Sequence, residues 1–300
     1  MTNSNTQRDG GGRIDVAVIS SAGLRDLNED DRILVRALRE RGVVAEAMAW
    51  RGDVDWSQVR LCVLRSCWDY SEHLDEFLQW IDNTALKCRV MNAPDVMRWN
   101  VDKHYLAQLD AQGIPVVPTI YAGVGDRTPL AAIMDDAGWE RVVVKPVVSA
   151  AARDTYQVDR DAVDKIEGEF DRLVSTCDMM VQPYLDRVET EGELSLMYIE
   201  GVYTHTVLKL PKPGDFRSQD DHGGSVERLD PGEQAIALGG RIVGAACRRA
   251  PAYARVDLVL DAEGHHRLIE LELIEPELFL RYEPVSVDRL ITAIERALSD

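Results

Sequence analysis

Apolar and polar positions along the first hundred residues form two kinds of pattern. Short apolar runs typical of buried strands are interspersed with segments that carry apolar residues at helical spacing. The strand segments are IDVAVIS, VVAEAMAW and VRLCVLRS, and the helix segments are EDDRILVRALRERG and SEHLDEFLQWI. Because strands that alternate with helices form parallel sheets, residues 13–100 are expected to fold as a parallel α/β lobe.

The patterns of the next segment are shorter and more varied. A helix NVDKHYLAQLDAQG, with Asn100 as its cap, is followed by short strands and by a helix from about Arg160 to Thr176. This mixture predicts a small α+β lobe over residues 101–184.

Residues 185–300 are expected to form a third lobe, which contains the clearest local pattern of the chain. Two strand runs lie on either side of Gly201, and they are followed by a loop rich in proline, glycine and aspartate, a helix, a hairpin and a closing helix. In the hairpin VDLVLDAEGHHRLIELEL, two alternating runs flank the turn residues DAEG. The polar, glycine-rich residues 1–12 are expected to be a disordered tail.

Composition limits the classes of function. The 300 residues include 34 lysines and arginines against 52 aspartates and glutamates, a formal net charge of -18. Such an excess repels phosphate backbones and anionic lipid, so we expect neither nucleic-acid binding nor membrane binding. The five cysteines are scattered without a CxxC pair, which favours free thiols, and the start of the chain lacks a signal-like apolar segment. We expect a cytoplasmic protein.

Three carboxylates on the predicted hairpin are candidate metal ligands. Glu270 and Glu272 are two residues apart and share one face of their strand, while Asp257 lies opposite or diagonal to Glu270 across the hairpin. Converging carboxylates repel one another unless a cation lies between them, and Mg²⁺ is bound through such groups together with substrate phosphates. The alternative is an amphipathic strand whose charged face lies in water.

Five cations are candidates for a phosphate pocket in this acidic chain. Lys145 and Lys209 end strongly apolar strands, where a surface lysine has little reason to lie. Taken singly, each is explained as a solvated side chain, but beside candidate metal ligands the set favours an oligophosphate site. The set is Lys103, Lys145, Lys209, Arg217 and Arg255.

These motifs, in this order, resemble the ATP-grasp superfamily over residues 92–298. The resemblance implies a three-lobed fold and ATP with Mg²⁺ or Mn²⁺ as cofactors. NVDK and VVVKP are similar to the two lysine motifs, and VQPYL, which by pattern alone is a strand that ends in a hinge, is similar to the adenine-binding segment. The residues implied to contact the nucleotide are Lys103, Lys145, Gln182, Tyr184 and Leu185, with Glu193 as the ribose-binding acid and Glu189 as the second choice. The implied metal ligands are Asp257, Glu270 and Glu272, with Glu270 bridging a pair of ions.

One segment departs from the family pattern. Most members have a glycine-rich loop that closes over the phosphates, but this chain has VVSAAARDTY at that place. Ser149 and Ala151 still permit close approach of the backbone, and Arg153 adds a positive charge. The departure puts the mobility of this loop in doubt.

The basic loop LKLPKPGDFRSQDDHGGS resembles the glutathione-synthetase branch of the superfamily. The resemblance implies that Lys209 and Arg217 contact the γ-phosphate or an acylphosphate, and that Gly224 lets the chain approach the substrate. Arg255 lies two residues before Asp257 on the same strand face, and we expect it to stabilise a tetrahedral oxyanion.

The segments RSCWDY, GDFR and ELELIEP are similar to those of the cycloserine-forming cyclo-ligases within this superfamily. The similarity implies activation of a carboxylate as an acylphosphate, followed by intramolecular cyclisation of O-ureido-D-serine to D-cycloserine in antibiotic biosynthesis. Substrate contacts are expected from loops at the carboxyl ends of parallel strands, at Ser21, Asp69 and Tyr70. A packed aromatic corner is the alternative for Asp69 and Tyr70.

Two other functions stay open from the sequence. The chain could join two separate molecules as an amino-acid or peptide ligase, in which case turnover needs a second organic substrate. It could also be a nucleotide-binding regulatory module without ligase activity, an alternative that the missing glycine loop keeps open. The expected partner is a small amino-acid-like molecule. A homodimer is compatible with the sequence, which does not determine the oligomeric state.

Overall fold

The computed structural model describes residues 13–21, 27–150, 153–212 and 223–299, and these residues form three sheets. Each sheet uses strands from one stretch of the chain, and the sheets follow one another in sequence order. One sheet is parallel and two are antiparallel, which confirms the predicted combination of α/β and α+β structure.

The first sheet is parallel, as predicted. Its strands are β1 (Ile14–Ser20), β2 (Ala45–Ala49), β3 (Val59–Ser66) and β4 (Arg89–Val90), and its helices are α1 (Glu29–Glu40), α2 (Leu74–Ala85) and α3 (Pro94–Asn100). The strand order is β2-β1-β3-β4. Helix α1 begins where the Asn28 side chain accepts a 2.8 Å hydrogen bond from the Asp31 backbone N–H, and Gly42 follows its end with a φ of 79°.

The second sheet is antiparallel, with the neighbouring helices packed on it. Its strands are β5 (Ile120–Ala122), β6 (Arg141–Pro146), β7 (Tyr156–Asp159) and β8 (Met179–Pro183), and the helices are α4 (Tyr105–Ala111), α5 (Leu130–Ala137) and α6 (Glu167–Val174). The strand order is β5-β8-β6-β7.

Two helix predictions in this region are wrong. Asn100 does not cap a helix: it ends α3, and its side chain donates to the Leu271 carbonyl at 2.8 Å and accepts from the Leu273 N–H at 2.7 Å. The long helix from Arg160 is divided into a 3₁₀ segment, Arg160–Lys165, and α6. Tertiary contacts override the local pattern, since Glu167 at the start of α6 accepts a 2.7 Å hydrogen bond from the backbone of α5.

The third sheet is antiparallel and contains the predicted hairpin. Its strands are β9 (Glu193–Ile199), β10 (Val202–Leu210), β11 (Ser225–Leu229), β12 (Tyr253–Leu260) and β13 (His266–Glu272), and the helices are α7 (Arg187–Glu191), α8 (Gly232–Ala246) and α9 (Pro284–Ser299). The strand order is β11-β10-β9-β12-β13. Strand β11 was not predicted, because it is a mostly exposed edge strand without an apolar alternation.

A shared hydrophobic cluster joins the first and third sheets. It contains Leu34 of α1, Ile294 of α9, Val63 of β3 and Val207 of β10, all fully buried. The second sheet has a separate cluster between its strands, α5 and α6. All five cysteines are free thiols, as expected. None of the helices formed by the described residues has the length and apolar character needed to cross a bilayer.

Candidate active site

A cleft of about 650 Å³ lies where the three sheets meet. Its walls include Tyr70 beyond β3, Lys145 on β6, Lys209 on β10 and Asp257 on β12. Residues predicted to bind phosphate and metal therefore line one cavity, although they come from separate parts of the chain.

The hairpin brings the three predicted carboxylates together. Asp257 and Glu270 are direct partners across β12 and β13, and Arg255 is the partner of Glu272. One carboxylate oxygen from each of Asp257, Glu270 and Glu272 lies within 4.8 Å of the others. The predicted convergence is observed, while the role of these residues as metal ligands stays a prediction.

Side chains of the protein itself supply the positive charge beside these carboxylates. The Arg255 guanidinium donates to Asp257, with Nη2 2.9 Å from Oδ2, and also pairs with Glu272. Lys103 Nζ lies 3.2 Å from Glu270 Oε1. Arg255 is thus part of the acidic cluster, and its donors are already used there, which differs from the expected free oxyanion donor.

The ionisation of the cluster follows from burial and these partners. Burial favours neutral carboxyls, but Arg255 and Lys209 outweigh it for Asp257 and lower its pKa, and Lys103 and Lys145 do the same for Glu270. Burial raises the pKa of Glu272 to about 7, although Arg255 opposes the shift. Two ionised carboxylates and a third whose pKa lies near 7 form an all-oxygen donor set, which suits a hard divalent cation such as Mg²⁺.

The three predicted lysines all line the cleft. Lys103 lies in the turn between α3 and α4, and its Nζ donates to the Ser149 carbonyl at 2.8 Å. Burial lowers the pKa of Lys145, because its charged form is costly in the cleft. Burial also disfavours the charged form of Lys209, but Asp257 and Glu193 outweigh it and raise the pKa.

The segment VQPYL ends β8 and forms another wall of the cleft, with Gln182, Tyr184 and Leu185 among its lining residues. The buried Gln182 side chain donates to Thr119 Oγ1 at 2.9 Å. Glu193 also lines the cleft and pairs with Lys209, whereas Glu189 does not line it and accepts a hydrogen bond from the Tyr184 hydroxyl. The placement favours Glu193, the first choice for the ribose.

The segment after the second lysine motif is only partly brought to the cleft. Ser149 lines it, but Arg153 lies outside the lining and pairs with Glu72 at 3.2 Å. The structure therefore does not support a phosphate contact for Arg153. Ala151 and Arg217 lie outside the described residues.

Of the predicted substrate contacts, Tyr70 alone lines the cleft. Asp69 accepts a 2.8 Å hydrogen bond from the Trp50 indole, and Ser21 donates to the Ser66 carbonyl at 2.8 Å. Gly224 also lies outside the lining. The contact between Asp69 and Trp50 is the one expected of the packed aromatic corner that was the alternative, and the role of Asp69 in substrate binding stays a prediction.

Sequence reasoning missed several lining residues at the end of the cleft between the first and third sheets. Half of them follow β13, beyond a glutamate-rich segment for which an amphipathic strand with its charged face in water was the alternative. The spacing of acids beyond Glu272 was the available signal. The missed residues are Asn28, Glu29, Asn100, Tyr105, Glu275, Glu277, Arg281 and Tyr282.

Glu275 differs from the other missed acids. Its side chain is buried, with 6 % exposure, and burial followed by the Glu272 charge raises its pKa to about 8. Glu277 instead pairs with Arg281 at 2.6 Å, and Arg281 also lies 3.1 Å from Asp30. The end of the cleft thus contains one buried acid without an ion pair among the described residues.

Comparisons with known proteins identify relatives along nearly the whole chain. Residues 16–92 match the family model described as the N-terminal domain of D-cycloserine synthetase DcsG. The cycloserine biosynthesis protein DcsG of Streptomyces lavendulae is 30% identical over 302 residues, which covers 94% of this chain and 98% of that protein. The crystal structure of D-cycloserine synthetase DcsG matches with a TM-score of 0.83 and 28% identity, covering 94% of this chain and 99% of that chain.

More distant solved structures share the fold. The ATP-grasp ligase PsnB in complex with a minimal precursor, Mg and ADP has a TM-score of 0.62 at 16% identity, and covers 94% of this chain and 100% of that one. D-alanine–D-alanine ligase from Bacillus anthracis in complex with ATP has a TM-score of 0.65 at 14% identity, and covers 95% of this chain and 97% of that one. At these identities the likeness concerns the fold alone.

Proposed function

The chain belongs to the DcsG family of ATP-grasp ligases, and we propose that it is an ATP-dependent cyclo-ligase that converts O-ureido-D-serine to D-cycloserine. The observation that carries the proposal is the convergence of Lys103, Lys145 and Lys209 on the Asp257, Glu270 and Glu272 cluster in one cleft. That combination of charges is suited to a nucleoside triphosphate and a divalent cation.

The nucleotide is proposed to lie along the walls formed by the second and third sheets. Lys103 and Lys145 would neutralise its phosphates, and the adenine would lie against Gln182, Tyr184 and Leu185. The Glu193 carboxylate would accept hydrogen bonds from the ribose hydroxyls. Lys145 supports this assignment, because burial lowers its pKa in the present surroundings and a phosphate would supply the missing counter-charge.

Asp257, Glu270 and Glu272 are proposed to bind Mg²⁺. A divalent ion bound there would offset the charge of the phosphates during transfer. Arg255 keeps Asp257 and Glu272 close together, and lowers the pKa of both relative to burial alone. We therefore propose Arg255 as a positioning residue rather than a donor to the reacting atoms.

The proposed reaction has two bond-forming steps. The substrate carboxylate attacks the γ-phosphorus of ATP and forms an acylphosphate while ADP leaves. The nitrogen bonded to the side-chain oxygen then attacks the acyl carbon, closes the isoxazolidinone ring and expels phosphate. The carbamoyl group is released with water as CO₂ and ammonia, so no second organic substrate is consumed. Lys209 is proposed to stabilise the charge on the transferred phosphoryl group.

A labelling experiment tests this reaction. O-ureido-D-serine with ¹⁸O in its carboxylate is incubated with ATP, Mg²⁺ and the protein, and phosphate and product are analysed by mass spectrometry. We expect a single labelled oxygen in the released phosphate, and a product whose mass is that of D-cycloserine. Phosphate without label, or turnover only after a second amine is added, would refute the cyclo-ligase proposal.

A further inference from the structure

We propose that Glu275 binds the α-ammonium group of the amino-acid substrate, an inference that rests on the proposed function of the cleft. Glu275 is a cleft-lining residue whose side chain is buried. None of the described Lys, Arg or His side chains forms an ion pair with it. A buried carboxylate without a cationic partner is costly, and a ligand that supplies the cation removes that cost.

The other acids near this end of the cleft already have protein partners. Glu270 pairs with Lys103 at 3.2 Å, and Glu277 pairs with Arg281 at 2.6 Å. Lys103, whose positive charge acts on Glu275 and opposes the rise in its pKa, is itself paired with Glu270. These contacts leave Glu275 as the buried acid with capacity for a further charge-assisted hydrogen bond.

The position of Glu275 suits a substrate rather than the nucleotide. Burial and then the Glu275 charge raise the pKa of Tyr70, so the carboxylate lies near the part of the first lobe that lines the cleft. Glu275 also follows Glu272 by three residues, close in sequence to the carboxylate cluster. A small amino acid there would present its ammonium to Glu275 and its carboxylate toward the cations and phosphates.

Glu29 is the rival anion for the same ammonium. It lines the cleft at the start of α1, but its side chain is 65% exposed and lies 4.0 Å from Arg281. An exposed carboxylate near a guanidinium gives little net free energy to a second cation, since water screens it. Glu29→Gln is therefore the matched variant: it removes the same charge from the same cleft.

Binding is measured by calorimetry with Mg²⁺ and a non-hydrolysable ATP analogue, so that no turnover is needed. The probes are O-ureido-D-serine and the same molecule without its amino group. We expect the wild-type protein to prefer the amino form, and Glu275→Gln to weaken binding of that form by about 10- to 100-fold, the effect of losing a hydrogen bond to a charged group. Binding of the des-amino form should change by less than about twofold, since it makes no such contact.

Two further measurements separate substrate binding from a structural role. Glu275→Gln removes a buried acid beside Glu272, so its melting temperature without ligand should equal or exceed that of the wild type. Glu275→Asp keeps the charge and should recover part of the preference for the amino form. A variant that loses affinity for both probes equally, or that melts at a lower temperature, would contradict the inference.

The remaining outcomes decide between this inference and the proposed function. Three outcomes would each overturn the role of Glu275. The wild type shows no preference for the amino form, Glu275→Gln retains the preference, or Glu29→Gln loses it instead. If the wild type makes D-cycloserine while Glu275→Gln keeps its preference, the inference alone fails. If the wild type shows the Glu275-dependent preference but makes no cyclic product, the proposed reaction alone fails.

Discussion

Arg255→Met tests the electrostatics of the acidic cluster most directly. Arg255 is 8% exposed and makes ion pairs with Asp257 and Glu272. Methionine fills a similar volume but leaves both buried acids without this partner. Removing one member of a buried ion pair costs about 3 to 5 kcal/mol, which for a chain of this length corresponds to a fall of about 5 to 8 °C in melting temperature if it unfolds as one unit.

The response to Mg²⁺ distinguishes this explanation from a loss of packing. Without Arg255, the negative charge of Asp257 and Glu272 loses this compensating guanidinium. A bound Mg²⁺ would supply positive charge in its place, so Mg²⁺ should raise the melting temperature of Arg255→Met more than that of the wild type. The assay is a thermal melt by circular dichroism or differential scanning calorimetry, with a chelator and then with saturating Mg²⁺.

Arg267→Met is the matched control on the same hairpin. Arg267 pairs with Asp261 at 2.8 Å, but its side chain is 35% exposed, so the cost should be below about 1 kcal/mol and the response to Mg²⁺ unchanged. A melting temperature of Arg255→Met equal to that of the wild type, or equal Mg²⁺ shifts in all three proteins, would refute the reasoning.

Three more substitutions test the remaining assignments. Lys145→Ala should raise the KM for ATP by at least about tenfold, because a charge-assisted contact to phosphate is lost; an unchanged KM in an ADP-release assay contradicts its role. Glu270→Gln should lower the affinity for Mg²⁺ by about 10- to 100-fold, and full activity at the wild-type Mg²⁺ requirement would exclude it as a ligand. Asp69→Asn should cost about 1 kcal/mol of stability through Trp50 and leave the substrate KM unchanged; a large rise in KM would return Asp69 to the binding site.

The sequence was sufficient for those parts of the site that lie on regular strands. Because the side chains of a strand alternate, Glu270 and Glu272 share a face, and the DAEG turn sets Asp257 opposite Glu270. The same local rules predicted the parallel order of strand and helix in the first lobe. Lys103, Lys145 and Lys209 are far apart in the sequence, and their spacing does not predict that they line one cleft. That expectation came from the resemblance to a family.

The sequence was insufficient where the backbone is irregular. The segment Trp68–Glu72 is a 3₁₀ turn. Its sequence does not indicate that Asp69 contacts Trp50 while Tyr70 lines the cleft. Glu275 lies beyond the end of β13, where alternation no longer predicts side-chain direction. Whether Glu275 has an ion-pair partner depends on how the first and third lobes pack together, and local sequence patterns do not predict that packing.

The division between regular and irregular backbone has a consequence for the evolution of this chain. The proposed nucleotide and metal residues Lys145, Lys209 and Asp257 lie on strands whose ladders would be disturbed by insertions or deletions. Several residues at the far end of the cleft, among them Tyr70, Glu275 and Glu277, instead lie in the segments 67–73 and 273–283, where the backbone is not part of any sheet. Substitutions in these segments leave the hydrogen bonding of the sheets intact. A descendant enzyme could therefore change which carboxylic acid substrate it activates, while it keeps the residues proposed to bind phosphate and metal.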